Sequence, residues 1–246
     1  MTFTHRITRG HLARHVAQRA QVGTEYAILD IAQDFLLADL HQRGVLDELV
    51  VFKGGTALRK HFSGATGRFS VDLDFAVASI ADDREAAASL LAEQIDGTTH
   101  ESFQYSTSEH RGRWSVQVDS ELVPGLPLPP LKLDVGPPTW LAATPRPFLP
   151  TNIHDRYDFE LPDIAVIQLT ENIAEKIARL TRMSTARDAA DLWWAATTPP
   201  YSNFDRELVW GVPRMLDRSS QDERMCSWQR IEGSSRRSLR LRRCSS

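Results

Sequence analysis

Two glycines followed by a threonine form the first segment whose residue types suit phosphate chemistry. An apolar run, LVVF, leads through Lys53 into Gly54, Gly55 and Thr56. Glycine lets the backbone approach a ligand without a Cβ clash, and the free N–H groups of such a turn and of the helix after it can hold an anion. Thr56 can cap that helix or donate to a phosphate oxygen. The segment therefore predicts a phosphate-binding turn, with a plain strand–turn–helix as the alternative.

Paired carboxylates follow in the segment FSVDLDF, where Asp72 and Asp74 are two residues apart. On a strand, both would point to the same face, about 6.5 Å apart along the chain. Neighbouring carboxylates repel each other unless a cation lies between them, and oxygen ligands favour Mg²⁺, with Mn²⁺ as a substitute. The pair predicts a metal site, and the alternative is the solvated face of an amphipathic strand.

A third carboxylate, Asp134, lies with Lys132 in the apolar strand segment LKLDV. If this strand pairs beside the first acidic strand, Asp134 would complete a cluster of three carboxylates. Phosphoryl transfer by two metal ions uses such a cluster, and the third carboxylate can take the proton of an attacking hydroxyl. The alternative is an ordinary salt bridge on a strand.

A basic residue and two acidic residues recur at helical spacing near the end of the chain. Lys176 lies on a helix with an apolar stripe, and Asp188 and Asp191 lie one helix later. A lysine beside an acidic metal centre can stabilise triphosphate oxygens. The alternative for each residue is a helix-surface ion pair that contributes tenths of a kcal/mol.

Lysine is scarce, since only Lys53, Lys60, Lys132 and Lys176 occur among 29 basic residues. A chain this rich in arginine would use arginine wherever any cation serves, so a remaining lysine can mark a place that needs a compact ammonium group. All four lysines fall in or beside the motifs above, although chance explains their number equally well.

The elements that position these residues follow from hydrophobic period and from turn residues. Helices are predicted at 6–21, at 24–43 with Thr24 as N-cap and Gly44 at the end, at 56–62, at 82–96, and from 162 onwards in two parts. Strands are predicted at 49–52, 69–77, 101–107, 113–119 and 131–135, with a turn at Arg111–Gly112 and a linker or wrapped loop at 137–150. This pattern predicts an α/β (or α+β) fold with a small mixed sheet, followed by a helical C-terminal part.

Composition excludes several classes of protein. With 41% hydrophobic and 25% charged residues, the chain is typical of soluble globular proteins. It shows neither an apolar run of membrane-spanning length nor a signal-peptide pattern, so we expect no membrane association and a cytoplasmic location. Both cysteines, Cys226 and Cys244, lie near the end, which leaves no disulfide framework or cysteine zinc site in the bulk of the fold.

Charge is distributed unevenly along the chain. Residues 219–246 contain seven Arg and three acidic residues and so carry a net charge of +4. The rest of the chain carries a net charge of −7, which gives −3 for the whole chain. Any contact with nucleic acid must therefore be local. The abrupt change in composition predicts either a disordered tail, a basic nucleic-acid arm, or an altered reading frame in place of a normal helical C-terminus.

Taken in order, four segments resemble one protein family. The segments FKGGTALRK, GRFSVDLDF, LKLDV, and AEKIARL followed by ARDAADLWW resemble the AbiEii/AbiGii nucleotidyltransferase toxins. That family includes the MenT-type toxins and belongs to the polymerase-β-like superfamily. The resemblance covers roughly residues 24–195, and its most telling spacing is the Gly-Gly-Thr about seventeen residues ahead of the D-x-D.

The resemblance implies a role for each matching residue and a division of the chain. Phosphates of an incoming NTP would be bound by Gly54, Gly55 and Thr56, flanked by Arg68 and Ser70, with Arg59 and Lys132 as further nucleotide-binding candidates. Metal would be held by Asp72, Asp74 and Asp134, and catalysis completed by Lys176 with Asp191 or Asp188, of which Asp191 fits the spacing better. Residues 1–150 would form the polymerase-β-like nucleotidyltransferase core, 151–218 a helical C-terminal domain, and 219–246 an atypical basic Ser/Arg-rich tail.

The activity implied is transfer of nucleotides from an NTP to the tRNA 3′ acceptor end, which blocks aminoacylation and translation. The protein would be a monomeric toxin, opposed by a winged-helix antitoxin of the AbiEi type encoded alongside. The tRNA acceptor stem would be gripped by local arginines, for which the candidates are Arg111, Arg113, Arg179, Arg182 and Arg187. Two alternatives are a nucleotidyltransferase acting on a protein or small molecule, and a truncated inactive member that only binds its antitoxin.

Overall fold

One mixed β-sheet with helices packed against it forms the centre of the fold. A computed structural model describes residues 7–17, 23–79, 83–182 and 185–198. Among them the helices are α1 (Arg9–Ala17), α2 (Thr24–Gln42), α3 (Val45–Glu48), α4 (Gly54–Leu58, continued by a π-helical turn Arg59–Ser63), α5 (Arg84–Ile95), α6 (Leu169–Arg182) and α7 (Ala186–Thr197). The strands are β1 (Val50–Lys53), β2 (Leu73–Val77), β3 (Thr99–His100), β4 (Phe103–His110), β5 (Arg113–Ser120), β6 (Leu131–Gly136), β7 (Thr144–Arg146) and β8 (Ile164–Val166). The α/β fold class is confirmed, although the sheet has eight strands rather than the few that were predicted.

Strand order places the acidic strands at the middle of the sheet. The order is β3-β4-β5-β6-β2-β1-β8-β7. Strand β2 pairs antiparallel with β1 and parallel with β6, and β1 pairs parallel with β8. The register aligns Lys53 with Asp74 and Asp74 with Asp134. Three charged residues from distant parts of the sequence therefore stand side by side on adjacent strands.

Strand β2 begins at Leu73, later than the predicted residue 69. Side chains of two helices hold the segment before it: Gln33 Nε2 donates to the Ser70 carbonyl at 3.1 Å, and the Thr56 hydroxyl donates to the Asp72 carbonyl. A carbonyl with a helix side chain as its partner is satisfied outside the sheet ladder. The prediction that Asp72 and Asp74 share one strand is therefore wrong for Asp72, which precedes the strand.

Two short strands occupy segments that were predicted as loop and as helix. Strand β7 lies within the predicted loop 137–150, and β8 lies where the last helical region was predicted to begin. Ile164 and Val166 are fully buried in β8, and short apolar runs of this kind do not distinguish a strand from a buried helix. Helix α6 consequently begins at Leu169 rather than at residue 162.

Helix α2 is the main helical element of the core. The predicted stripe of α2 is buried throughout: Ile28, Ile31, Phe35, Leu36 and Leu40. Each such side chain contributes about 1.5–3 kcal/mol on burial. The helix ends at Gln42, and Gly44, which was predicted to close it, follows two residues later with a left-handed φ of 74° that favours glycine. At its start, Gly23 and not Thr24 occupies the N-cap position.

A buried ionic cluster joins α2 to the turn after α4. Lys60 Nζ lies 3.2 Å from Asp30 Oδ1 and 2.6 Å from Asp34 Oδ1. The Tyr157 hydroxyl donates to Asp34 Oδ2 at 2.6 Å, and His15 Nε2 lies 2.9 Å from Asp30 Oδ2. All five side chains are buried. The cluster therefore ties α1, α2, the turn after α4 and the segment before β8 into one unit.

Both carboxylates of this cluster are ionised in the folded protein. Burial by itself raises the pKa of Asp30 and of Asp34, because a buried carboxylate loses hydration. Burial is the largest single effect, but Lys60 acts against it together with Arg59 and His15 at Asp30 and with His154 at Asp34. The combined effect of these partners lowers each pKa below its ordinary value. Removing one partner from such a cluster leaves a buried charge without compensation.

The described residues test the prediction on membrane-spanning segments but not the predictions on the C-terminal tail. Residues 219–246, with Cys226 and Cys244, lie outside the described residues, and the division of the chain at residue 150 stays a prediction. Among the described residues, no helix combines the length and the apolar character needed to span a membrane.

The cluster predicts a pH-dependent loss of stability on substitution of Asp34. We expect Asp34→Asn to lower the free energy of unfolding by about 3 kcal/mol at about pH 7. Because the pKa of Asp34 is lowered by folding, its contribution is present above about pH 4 and is lost as the pH falls below that value. Urea denaturation of both proteins at several pH values measures the difference, which should narrow below about pH 4.

The matched control is Asp158→Asn, because Asp158 is an exposed carboxylate of the same segment as Tyr157. It should change the free energy of unfolding by less than about 0.5 kcal/mol. A loss at Asp34→Asn that is small, or that stays constant down to about pH 3, would contradict an ionised buried cluster.

Candidate active site

One pocket brings together residues from four separate parts of the chain. Its volume is about 390 Å³. It is lined by Gly55, Arg68, Ser70, Asp72, Asp74, Lys176, Arg179, Thr185, Ala186, Arg187 and Asp188. Seven of these eleven were predicted as site residues from the sequence. The pocket therefore combines carboxylates, glycine backbone and four basic side chains in a space large enough for a nucleotide-sized ligand.

Gly54 and Gly55 form a glycine turn at the start of α4, and site side chains lie directly against its backbone. Gly54 has a left-handed φ of 78°, and a Cβ there would lie 2.1 Å from Asp74 Oδ2. A Cβ at Gly55 would lie 2.9 Å from both Arg68 Nη2 and Ser70 Oγ. Any other residue at either position would displace the site, so these glycines are required for packing as well as for conformation.

Asp74 is the most perturbed carboxylate of the pocket. Burial raises its pKa, and the neighbouring charges of Asp72 and Asp134 raise it further, whereas Lys132 and Lys53 act in the opposite direction. Asp134 itself is exposed and lies 3.3 Å from Lys132 Nζ. An exposed pair of this kind contributes about 0–1 kcal/mol. Asp74 thus stands between two like charges that are only partly compensated.

The predicted cluster of three carboxylates is not assembled as expected. No group of three histidine, cysteine, aspartate or glutamate side chains in the described part of the chain is arranged to hold a metal ion. Asp74 and Asp134 are neighbours in register, but Asp72 precedes the strand and its Oδ2 lies 3.8 Å from Arg187 Nη1. Asp74 and Asp134 nevertheless carry like charges on adjacent strands, and a cation is the kind of group that relieves such repulsion.

Asp191 fixes two cations at the wall of the pocket. Arg68 donates from Nε to Asp191 Oδ1 and from Nη2 to Asp191 Oδ2, both at 2.9 Å. Lys176 Nζ lies 2.8 Å from the same Oδ2 atom. Asp191 is buried and does not line the pocket. Its carboxylate therefore holds Arg68 and Lys176 in place, with a bidentate geometry that only arginine can make.

Asp188 occupies a different position from Asp191. It lines the pocket, and its Oδ1 lies 3.7 Å from Lys176 Nζ. Thr185 caps helix α7 by accepting the Asp188 backbone N–H at 3.1 Å, and its hydroxyl donates to Asp188 Oδ2 at 2.7 Å. The sequence left the choice between these two acids open. In the structure Asp188 lines the pocket, whereas Asp191 lies outside the lining and holds Arg68 and Lys176.

Helix α6 connects the glycine turn to the rest of the site through adjacent residues. Asn172 Nδ2 donates to the Gly54 carbonyl at 3.0 Å, and Lys53 Nζ donates to Glu175 Oε1 at 2.6 Å. Glu171 accepts the backbone N–H groups of the loop after β6 at 2.7 and 2.8 Å. Burial raises the pKa of Glu171 to about 7. One helix thus holds the turn, the end of β1 and the loop that follows β6.

Three of the side chains that were predicted to bind the nucleotide lie outside the pocket lining. Thr56 is fully buried and its hydroxyl is bound to the Asp72 carbonyl, so it positions a site residue. Arg59 is buried beside Asp30 with its guanidinium 4.9 Å from the ring centre of Phe69, because the π-helical turn directs it into the interior. Lys132 lies on the exposed face of β6 beside Asp134. None of the three lines the pocket.

Some residues of the site were not predicted from the sequence. Gln33, Asn172 and Glu175 hold site elements in place, and Thr185 and Ala186 line the pocket. The spacing of Thr185 and Asp188 is an N-cap pattern that the sequence does display.

Residues 36–239 match the family described as "Nucleotidyl transferase AbiEii toxin, Type IV TA system". Among solved structures, the fold is similar to MenT4, a nucleotidyltransferase toxin from Mycobacterium tuberculosis H37Rv, with 33% sequence identity and a TM-score of 0.75. That match covers 92% of this chain and 76% of the other. No curated protein sequence matched the chain.

The family match and the structural match agree with the resemblance found in the sequence motifs. The profile covers far more than half of the chain, and it includes both the acidic strands and the helices α6 and α7. The pocket described above lies within it. The chain therefore belongs to the AbiEii family of nucleotidyltransferase toxins from type IV toxin–antitoxin systems.

Proposed function

We propose that this toxin transfers nucleotides from an NTP to the 3′ acceptor end of tRNA in a Mg²⁺-dependent reaction, which blocks aminoacylation and translation. The observation that supports this most directly is the placement of Arg68 and Lys176 beside Asp72 and Asp74 in one pocket. Cations on one wall suit a triphosphate, and carboxylates on the other suit the ions that accompany it.

The basic wall is organised before any substrate binds. Arg68 and Lys176 are both held by the buried carboxylate of Asp191. Arg179 and Arg187 are more exposed, with side chains about 60% and 63% accessible. Donors that are already oriented toward developing charge need no reorganisation during the reaction. We assign Arg68, Lys176 and the Gly55 backbone to the triphosphate, with Arg179 and Arg187 at the entrance.

The acidic side of the pocket carries the remaining chemistry. Asp72 and Asp74 would hold Mg²⁺, or Mn²⁺ in its place, and the ion would supply charge stabilisation to the phosphoryl oxygens. Asp134, exposed and next to Asp74 in register, can accept the proton of the attacking acceptor hydroxyl. Pyrophosphate would leave toward Arg68 and Lys176.

Partners follow from the family and from the substrate. We propose that the cognate partner is a winged-helix antitoxin encoded alongside, and that the toxin itself is a monomer. We further propose that it acts in the cytoplasm, where tRNA and NTP occur together. Of the arginines predicted to grip RNA, Arg111, Arg113, Arg179 and Arg187 lie on the described surface. The side chain of Arg182 lies outside the described residues.

Labelled NTPs test the acceptor directly. Purified protein is incubated with each labelled NTP, with total RNA, and with a cell extract freed of nucleic acid. We expect label in RNA of tRNA size, and none in the extract proteins or in the toxin itself. Label found only in protein or in a small molecule would refute the tRNA proposal while leaving the nucleotidyltransferase assignment intact.

Neutralising one pocket carboxylate should abolish transfer without unfolding the protein. We expect Asp72→Asn to reduce kcat by a factor of at least about 10³, since a metal-holding charge is lost. The measurement is single-turnover transfer at saturating NTP, together with the thermal unfolding midpoint. Asp119→Asn is the control, because Asp119 is an exposed carboxylate of β5 outside the pocket. Wild-type activity in Asp72→Asn would contradict the assigned centre.

Substituting Asp191 should weaken NTP binding. Asp191→Asn keeps the shape of the side chain but removes the charge that orients Arg68 and Lys176, so we expect the KM for NTP to rise about tenfold. Initial rates over a range of NTP concentrations, at fixed RNA, give this value. Some loss of stability accompanies the change because Asp191 is buried. A variant that is less stable but has an unchanged KM for NTP would assign Asp191 to the fold alone.

A further inference from the structure

We propose that the tip of the β4–β5 hairpin, residues 110–113, together with Lys132, is the surface that receives the single-stranded 3′ end of the nucleic-acid acceptor. This inference rests on the proposed function, because it assigns the second substrate's side of the same site. The hairpin tip lies outside the pocket lining.

Sheet register connects the hairpin tip to the carboxylates. Asp74 pairs with Asp134, and β5 pairs antiparallel with β6 through Trp114 opposite Leu133. One step further along both strands brings Arg113 level with Asp134, and Arg113 pairs with His110 across the hairpin. The row of residues at the catalytic level of the sheet therefore runs on without interruption into the hairpin tip.

This row lies on the open face of the sheet. On β5 and β6, Val116, Leu131 and Leu133 are buried toward α2 and α5, whereas Lys132 and Asp134 are exposed. Successive side chains of a strand alternate between faces. Arg113 is in phase with Ser115, the register partner of Lys132, and so belongs to the same open face.

Charge at the tip suits a phosphate backbone. His110, Arg111, Arg113 and Lys132 supply basic or potentially basic groups. The nearby Glu109 pairs in register with Trp114, and the alternation along the strand assigns it to the opposite face of the sheet. Its carboxylate accepts the Gly112 N–H at 3.2 Å. Among the described residues, the ion pair of Lys132 is its exposed contact with Asp134, at 3.3 Å. A weak solvent-exposed pair of that kind exchanges readily for a phosphate oxygen.

The turn holds these groups in a defined place. Arg111 and Gly112 have φ values of 52° and 73°, both in the left-handed region. Two consecutive residues in this region give the tight turn whose twist matches a β-hairpin. The tip is therefore a direct extension of two paired strands, and it presents its arginines at a fixed distance from the sheet.

The reaction geometry requires the acceptor on this side. The Gly54–Gly55 turn follows β1, and α6 contacts that turn through Asn172, so the nucleotide wall lies on the β1 side of Asp74. Asp134 and the hairpin lie on its β6 side. In phosphoryl transfer the attacking and leaving oxygens are roughly in line. With pyrophosphate leaving on the β1 side, the acceptor hydroxyl enters past Asp134.

The occupant is a single strand rather than a duplex. A space of about 390 Å³ admits a nucleotide-sized group at the carboxylates. An unpaired end can be splayed and fed in one nucleotide at a time, whereas a terminal base pair must first be opened. Exposed basic side chains along a strand pair follow such a backbone without reading its sequence.

Kinetic separation of the two substrates tests the proposal. The variant is Arg111→Gln with Arg113→Gln, assayed on a synthetic RNA hairpin that ends in four unpaired nucleotides, a length on the order of one binding site. We expect the KM for this RNA to rise about tenfold and the KM for NTP to change less than about twofold. Arg179→Gln, which changes a residue of the pocket lining, should raise the KM for NTP. Arg14→Gln, at an exposed position of α1, is the matched control and should change neither.

Binding without NTP supplies a second readout and a second variant. The log affinity for the same RNA decreases linearly with log salt concentration, and the steepness of this line reports the number of phosphate contacts. The steepness should decrease by about 1 or more in the double variant and by less than about 1 in Lys132→Gln. An RNA with a blunt duplex end should bind the wild type more weakly. Equal binding of both RNAs would overturn the single-strand occupant.

The outcomes separate this inference from the proposed function. Wild-type protein that labels RNA, with an unchanged KM for RNA in the double variant and an unchanged salt slope in both the double variant and Lys132→Gln, overturns the acceptor surface alone. Wild-type protein that labels only protein overturns the proposed function, and the acceptor surface with it. Unchanged thermal unfolding midpoints in the exposed variants exclude misfolding as the cause of a change.

Discussion

The contact between Gly54 and Asp74 is the constraint on which the site depends. Register places Asp74 between Lys53 and Asp134, and its carboxylate lies so close to the Gly54 backbone that a Cβ there would be 2.1 Å from it. The glycine turn, the acidic strand and the pocket therefore form as one unit. Burial and like charges raise the pKa of Asp74 in this place, which gives the carboxylate a strong preference for a nearby cation.

Much of the support for this arrangement comes from residues outside the pocket lining. Adjacent residues of α6 bind the Gly54 carbonyl, the end of β1 and the acids of α7. Asp191 holds two cations at once, and the ionic cluster around Lys60 ties α2 to the turn that follows α4. A site built on rigid elements in this way keeps its charges oriented before substrate binds.

Much of the site was predictable because phosphate chemistry constrains residue type and spacing. Gly55, Asp74, Lys176 and the hairpin turn at Arg111–Gly112 lie where the sequence predicted them. Long-range side-chain contacts were not predictable: Thr56 supports Asp72 from within, and Arg59 and Lys60 belong to the buried cluster. The other three lysines, Lys53, Lys132 and Lys176, do surround the carboxylates. The short strand β8 was predicted as helix because its apolar run has no distinguishing period.

Transfer of a nucleotide from an NTP to a terminal hydroxyl of RNA is the step assigned to the carboxylates of this pocket in the proposed function. Its most direct test compares intact tRNA with the same tRNA after periodate oxidation of the 3′-terminal ribose. Mass spectrometry of the RNA after incubation with NTP measures the product. We expect intact tRNA to gain whole nucleotide units and oxidised tRNA to gain none. Equal modification of both, or modification of neither with label in protein, would contradict this assignment.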